Sequence, residues 1–207
     1  MFSKFMTLNP EKQDRILNAA LKEFALKGYQ NASTNEIVKE AGISKGLLFH
    51  YFNNKKDLYL FLFDYFMELL MDEIQQRVDW NEKDIFARYK QVGMIKFELF
   101  SKYPNVFGFI KTIRPEVASE VKPDLELRQK QFLDKGYKDI FSGLDFSSFK
   151  EGIDIEKALS IIYWTMEGFA YKQQDKVAAI TLEDYDVDEM MAEMDTYCEM
   201  LRIAFYK

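Results

Sequence analysis

The sequence predicts an all-α protein: a small three-helix head at the N-terminus containing a helix-turn-helix, joined by a long helix to an all-helical body. Three observations carry this. Only 4 Pro and 9 Gly occur in 207 residues, too few for the many turns of a strand-rich sandwich. Apolar residues recur every three to four positions through most of the chain, the period of an amphipathic helix. Charge is also unevenly divided. Residues 1–58 hold nine Lys or Arg against six Asp or Glu, and the remainder holds 19 against 28, so a chain of formal charge −6 carries a head of net +3 on a body of net −9. With 48% hydrophobic and 30% charged residues the chain has the composition of an ordinary globular protein and is long enough to bury a core.

Each element follows from local signals. Asn9 can cap free N–H groups and Pro10 costs nothing in a first turn, so the first helix starts there. Ile16, Leu17, Ala20, Leu21 and Phe24 repeat at helical spacing up to Gly28, which ends the helix near Lys27. Ser33 and Glu36 have the spacing of a capping box, with Ala32 and Ile37 as its hydrophobic staple, so a second helix runs from about Thr34 to Gly42. Ser44 then caps a third, short helix through Phe52. A short helix, a glycine turn and a second short helix have helix-turn-helix spacing. Asn54 with Asp57 caps a fourth helix reaching about Val78, and a fifth spans Glu82 to Ser101, closed by Pro104. Short helical pieces at Val106–Ile113 and Pro115–Val121 precede a long helix, Asp124–Phe141, and the looser connection SGLDFSSFKEG. Between Ala158 and Tyr171 only Glu167 is charged, so that helix must be covered on more than one face. The last helix, Val187–Phe205, carries a stripe of Val187, Met190, Met191, Met194, Tyr197, Cys198, Leu201 and Ala204.

The stretch Ile16–Leu58, above all TNEIVKEAGISKGLLFHYFNNKKDLY, resembles the DNA-binding head of TetR-family transcription regulators. The turn glycine Gly42, the SKG that follows it, the aromatic HYF and the Lys-rich start of the next helix carry the resemblance, which covers roughly the first quarter of the chain. It implies that the helix from Ser44 to Phe52 lies in the major groove, with Lys45 and Gly46 approaching base edges. Phe49 stands where the family usually has Tyr, so it can touch a thymine methyl but cannot hydrogen-bond a base edge. Leu47 replaces a commonly small polar residue, which shifts specificity toward DNA shape. Thr34, His50, Tyr51 and Lys55 match phosphate contacts. Each residue has a plainer reading as well. His50 is otherwise a surface residue, Tyr51 a core ring with its hydroxyl at the edge, and Lys55 a solvated charge. Of the neighbours Leu48 and Phe49 one is core, and Leu48 is expected to be; Phe52 is read as core outright.

The resemblance and the pattern together divide the chain into a helix-turn-helix DNA-binding domain, 1–55, and a helical ligand-binding and dimerisation domain, 56–207. Two terminal helices from each of two subunits would form a four-helix interface; the alternative is that both are core helices of a monomer. Met and aromatic side chains suit an adaptable pocket, and Met94, Phe97, Phe109, Trp164 and the lone carboxylate Glu167 are the effector-binding candidates, against plain core packing. Neither GxGxxG, GxxxxGK[ST], HExxH nor GxSxG occurs, and His50 and Cys198 are the sole His and Cys, so no enzyme, metal or cofactor is expected. The first fifteen residues lack the apolar core of a signal peptide. The greasiest stretch, Leu58–Met71, is broken by Asp64 and Glu68 and falls short of the roughly 18–20 residues a membrane span needs, so a cytoplasmic protein is expected. The expected function is a ligand-responsive regulator, a repressor that binds an inverted-repeat operator as a homodimer and is released by a small, largely apolar or aromatic effector. The alternative is a DNA-binding dimer controlled by a protein partner or by no small molecule.

Overall fold

The computed structural model describes residues 3–113, 118–179 and 185–207. Its helices are α1 (Ser3–Met6), α2 (Pro10–Asn31), α3 (Thr34–Ala41), α4 (Lys45–Tyr51), α5 (Lys55–Arg77), α6 (Ile85–Lys102), α7 (Pro104–Ile113), α8 (Lys122–Ile140), α9 (Ile155–Ala179) and α10 (Val187–Phe205). The described residues contain no β-strand beyond an isolated bridge between Phe149 and Tyr206. Among them no helix is long and apolar enough to cross a membrane, and no group of three or more His, Cys, Asp or Glu could hold a metal ion.

The caps explain most boundaries. Asn9 Oδ1 accepts from the Glu11 N–H at 2.9 Å to open α2, whose regular path breaks at Gly28 (φ +66°). A side chain at that φ would be strained, so the sequence signal and the break coincide. Asn54 Oδ1 opens α5 by accepting from the Asp57 N–H at 2.8 Å, and an Asp186 carboxylate oxygen opens α10 by accepting from the Glu189 N–H at 2.9 Å. The expected capping box at Ser33 does not form, because the Ser33 side chain makes no cap hydrogen bond. Its backbone N–H instead donates to Glu23 Oε1 at 2.8 Å, and that carboxylate, nearly buried on α2, also pairs with Lys27 at 3.0 Å. A carboxylate from a neighbouring helix thus takes the donor that a local box would have used. The expected helical piece Pro115–Val121 lies partly outside the described residues, and its described part, 118–121, is a turn leading into α8. Helix α1 has no sequence signal.

The chain forms two compact units. The first comprises Met1–Leu70 and Lys102–Phe132, the second Met71–Ser101 and Leu133–Lys207, so α5 and α8 contribute residues to both. In the first unit Ile16, Ala20, Leu21 and Phe24 of α2, Ile37 of α3, Leu48 of α4 and Phe52 are fully buried. Helix α7 packs along α2, and at Gly108 a Cβ would lie 2.9 Å from Ala25 Cβ. The rings of Phe24, Tyr59 and Phe109 join α2, α5 and α7, with Tyr59 at 4.9 Å from Phe24 and 5.1 Å from Phe109. Ion pairs Lys56–Asp124 (2.8 Å) and Arg128–Asp64 (2.9 Å) tie α5 to α8.

In the second unit the fully buried Arg88 donates to four backbone carbonyls: Trp80 (2.9 Å), Glu82 (2.8 Å), Ile140 (3.0 Å) and Ser142 (2.6 Å). A planar five-donor guanidinium suits four such acceptors, and burial pushes its pKa down. Helices α9 and α10 pack antiparallel, as the pairs Phe169–Tyr197 (rings 5.7 Å apart), Lys172–Glu193 and Lys176–Glu189 (3.8 Å) establish. Lys172, Lys176 and Gln173 converge on Glu193 and hold its carboxyl down to about 2.

Candidate nucleic-acid interface

The candidate interface is built by the turn between α3 and α4. Gly42 takes the left-handed conformation (φ +65°, ψ +39°), its N–H donating to the Lys39 carbonyl at 3.3 Å and the next N–H, of Ile43, to the Val38 carbonyl at 3.0 Å. This pair of bonds ends α3 and reverses the chain. Ser44 Oγ then accepts from the Leu47 N–H at 3.2 Å, and α4 begins at Lys45. Burying Leu48 and Phe52 fixes the rotation of α4 about its axis. Lys45, Gly46 and His50 are left exposed, with Leu47, Phe49 and Tyr51 half-buried at the margins. Of the neighbours Leu48 and Phe49, then, it is Leu48 that is core.

Lys45 makes no ion pair among the described residues, and its Nζ lies 6.0 Å from the centre of the Phe49 ring. A Cβ added at Gly46 would meet nothing within 4 Å. Thr34, the first residue of α3, is half-exposed. His50 and Tyr51 have rings 5.7 Å apart. Lys55 is engaged within the chain: its Nζ donates to the carbonyls of Gln30 and Ala32, both at 3.2 Å, and lies 4.6 Å over the Tyr29 ring. It fastens the start of α5 to the end of α2. The carbonyls of a helix end attract a cation, a contact that the sequence leaves open.

A further residue belongs with this surface by position. Phe5 of α1 is fully buried with its ring 5.0 Å from Phe52, 5.3 Å from Phe61 and 6.0 Å from Tyr51. Gln13 Nε2 holds the segment by donating to the carbonyls of Met6 (3.0 Å) and Leu8 (2.8 Å). The eight residues ahead of the first cap, Asn9, have no periodicity to read, so nothing local signals that Phe5 packs behind α4.

The five effector candidates are dispersed. Phe109 is fully buried in the first unit against Phe24 and Tyr59. The others belong to the second unit. Met94 is half-buried on α6, and Phe97 stacks on Tyr185 with centroids 5.9 Å apart. Trp164 is 69% exposed on α9. Half-buried Glu167 acts electrostatically on Tyr89 and Tyr163; burial is the larger cause of the rise in both phenols, and the carboxylate adds to it.

Residues 16–61 match the family of bacterial regulatory proteins, tetR family. The chain is 27% identical over 166 residues to the fatty acid metabolism regulator protein of Bacillus subtilis (strain 168), covering 75% of this chain and 80% of that protein. Among solved structures it resembles the fatty acid degradation regulator FadR from Bacillus halodurans (TM-score 0.68, 23% identity, 91% of this chain and 97% of that one). The transcriptional regulator FadR from Bacillus subtilis in complex with stearoyl-CoA is equally similar (TM-score 0.68, 23% identity, 91% and 96% covered). At that identity the structural likeness establishes a shared fold. With a glycine-turned helix pair presenting α4 and a family match over that same stretch, residues 16–61 form a DNA-binding head of the tetR family of bacterial regulatory proteins.

Proposed function

We propose that this regulator binds an inverted-repeat DNA operator as a homodimer, acts as a repressor, and releases DNA when a fatty acyl amphiphile occupies its body, all within the cytoplasm. Residues 1–55 form the DNA-binding domain and 56–207 the ligand-binding and dimerisation domain. The observation that carries the reading is the orientation of α4: Leu48 and Phe52 face inward, and Lys45, Gly46 and His50 face out on a helix of the length that fits a major groove. Thr34, Phe49 and Tyr51 flank that face. Lys55 reaches a phosphate only by leaving the carbonyls of Gln30 and Ala32.

Dimerisation is supported by apolar side chains that the single chain leaves uncovered. Trp164 and Ile161 on α9 are 69% and 42% exposed, and Met200 and Ile203 on α10 are 63% and 67% exposed. The antiparallel register of the two helices brings these pairs to the same level of α9 and α10. An exposed apolar group of this kind marks an association surface, and a second copy of the same face completes a four-helix interface. The effector class is supported by the Met- and aromatic-rich body together with the relative that is solved with stearoyl-CoA.

Selection of bound fragments from a random duplex library tests the reading. The expected product is an inverted repeat whose half-sites are centred about one or two turns apart. Lys45→Ala combined with Tyr51→Ala should weaken binding to it about tenfold or more, with a shallower salt dependence. Stearoyl-CoA should release the parent protein from it. Enrichment of no sequence, or full binding by the double variant, would defeat the DNA assignment, and a complex indifferent to acyl ligands would defeat the effector class.

A further inference from the structure

Tyr89, on α6, is the most conspicuous polar group that the DNA-binding reading leaves without a task. Its side chain is 8% exposed, and its hydroxyl oxygen is buried with no hydrogen-bond partner among the described residues. Folded proteins rarely leave a buried hydroxyl unsatisfied, because it has given up water without replacement, so such a group calls for an explanation. The ionisable groups that act on it come from three other helices: Tyr137 of α8, Tyr163 and Glu167 of α9, and Cys198 of α10. Tyr137 and Tyr163 stack edge-on at 5.1 Å. The second unit therefore concentrates phenols and one carboxylate around an oxygen that bonds to none of them.

The surroundings along α6 are apolar. Gly93 and Phe97 follow Tyr89 at intervals of four, on the same helix face. Met194 of α10 lies against Gly93, its Sδ and Cε at 3.5 Å from where a Cβ would stand, an ordinary packing distance. A Met side chain can adapt its shape to an alkyl partner.

We infer that the Tyr89 hydroxyl is the polar anchor of the effector site and donates a hydrogen bond to the carbonyl oxygen of a fatty acyl thioester, an assignment that rests on the effector class proposed above. Burial and the neighbouring Glu167 charge both favour the protonated phenol, so Tyr89 serves as a donor. The same Glu167 carboxylate repels a free fatty acid, whose head is an anion, and tolerates the uncharged carbonyl of a thioester. An orphaned hydroxyl is then a group held ready for ligand at the expense of the ligand-free fold.

The test measures stearoyl-CoA and stearate binding to the full-length protein below their micellar concentrations, and thermal unfolding without ligand. Tyr89→Phe keeps the ring and removes only the hydroxyl. It should bind stearoyl-CoA about five- to tenfold more weakly, the worth of one hydrogen bond to a neutral acceptor, while unfolding at the same temperature as the parent or higher. Glu167→Gln should narrow the preference for stearoyl-CoA over stearate. Unchanged stearoyl-CoA affinity in Tyr89→Phe overturns the anchor, and so does a clear drop in its unfolding temperature, which would reveal a structural partner for the hydroxyl. An unaltered preference in Glu167→Gln overturns the thioester assignment. Failure of the parent to bind either compound removes the effector class and this site together, whereas binding by a parent whose Tyr89→Phe variant is equally tight removes this site alone.

Discussion

Gly42 and Gly46 sit four residues apart and answer to different physics. At Gly42 the backbone itself requires glycine, because φ of +65° is strained for any residue with a Cβ. At Gly46 the backbone is ordinary helix, and a Cβ would meet nothing within 4 Å, so no demand of the fold explains the residue. A methyl there improves helix propensity by about 0.5–1 kcal/mol. Gly46→Ala should accordingly raise the thermal midpoint, while operator affinity falls because the methyl keeps α4 from seating against the bases. Anisotropy with operator DNA beside a melting curve separates the two effects, and equal or tighter DNA binding would rule out a close backbone approach. Most of this was readable from sequence. Gly28, Gly42, Asn9, Ser44 and Asn54 act through φ or through hydrogen bonds no more than five residues away. Ser33 and Lys55 were not so readable, since their partners, Glu23 and the carbonyls of Gln30 and Ala32, lie 10 to 25 residues off.

Helix against helix, α2 and α7 approach closely. Gly108 lets the two backbones close until a Cβ at 108 would sit 2.9 Å from Ala25 Cβ, nearer than carbon atoms tolerate. Neither position can give way, because one is backbone-fixed and the other has only a methyl. Gly108→Ala should destabilise the chain by about 1–3 kcal/mol, as overpacking does. Gly136→Ala on α8 serves as the control, for a Cβ there meets nothing within 4 Å and should leave stability unchanged or improve it. Equal melting temperatures for the parent and Gly108→Ala would show that α2 and α7 separate freely. The elements themselves follow from periodicity: α10 spans Val187–Phe205 as expected, and α6 and α8 begin and end within three residues of expectation. Which element packs on which does not follow, because apolar stripes are interchangeable until chain connectivity and shape select a partner. Helix α1 carries no pattern of its own, being four residues long and held by Phe5 and Gln13.

For the whole molecule, the proposed dimer makes the sharpest demand. Trp164 is 69% exposed in the single chain, so replacing it should leave the subunit fold intact. Trp164→Arg buries a charge in the proposed interface and should yield a monomer in sedimentation at micromolar concentration, with operator affinity lost because half-sites about 34–36 Å apart need two linked heads. A variant that remains dimeric would move the interface elsewhere. By itself the sequence determined the all-α class, the boundaries of the capped helices, the glycine turn and the outward face of α4. These depend on φ preferences, on hydrogen bonds within a turn or two, and on the 3.6-residue period, all of which are local. Only the tertiary structure decided that Trp164 faces outward while Phe109 is sealed in the first unit, and that Tyr89 is buried without a hydrogen-bond partner among the described residues. An apolar or aromatic residue reads the same in sequence whether it meets core, ligand or partner. Its role depends on which distant helices surround it, and only the packed chain supplies those.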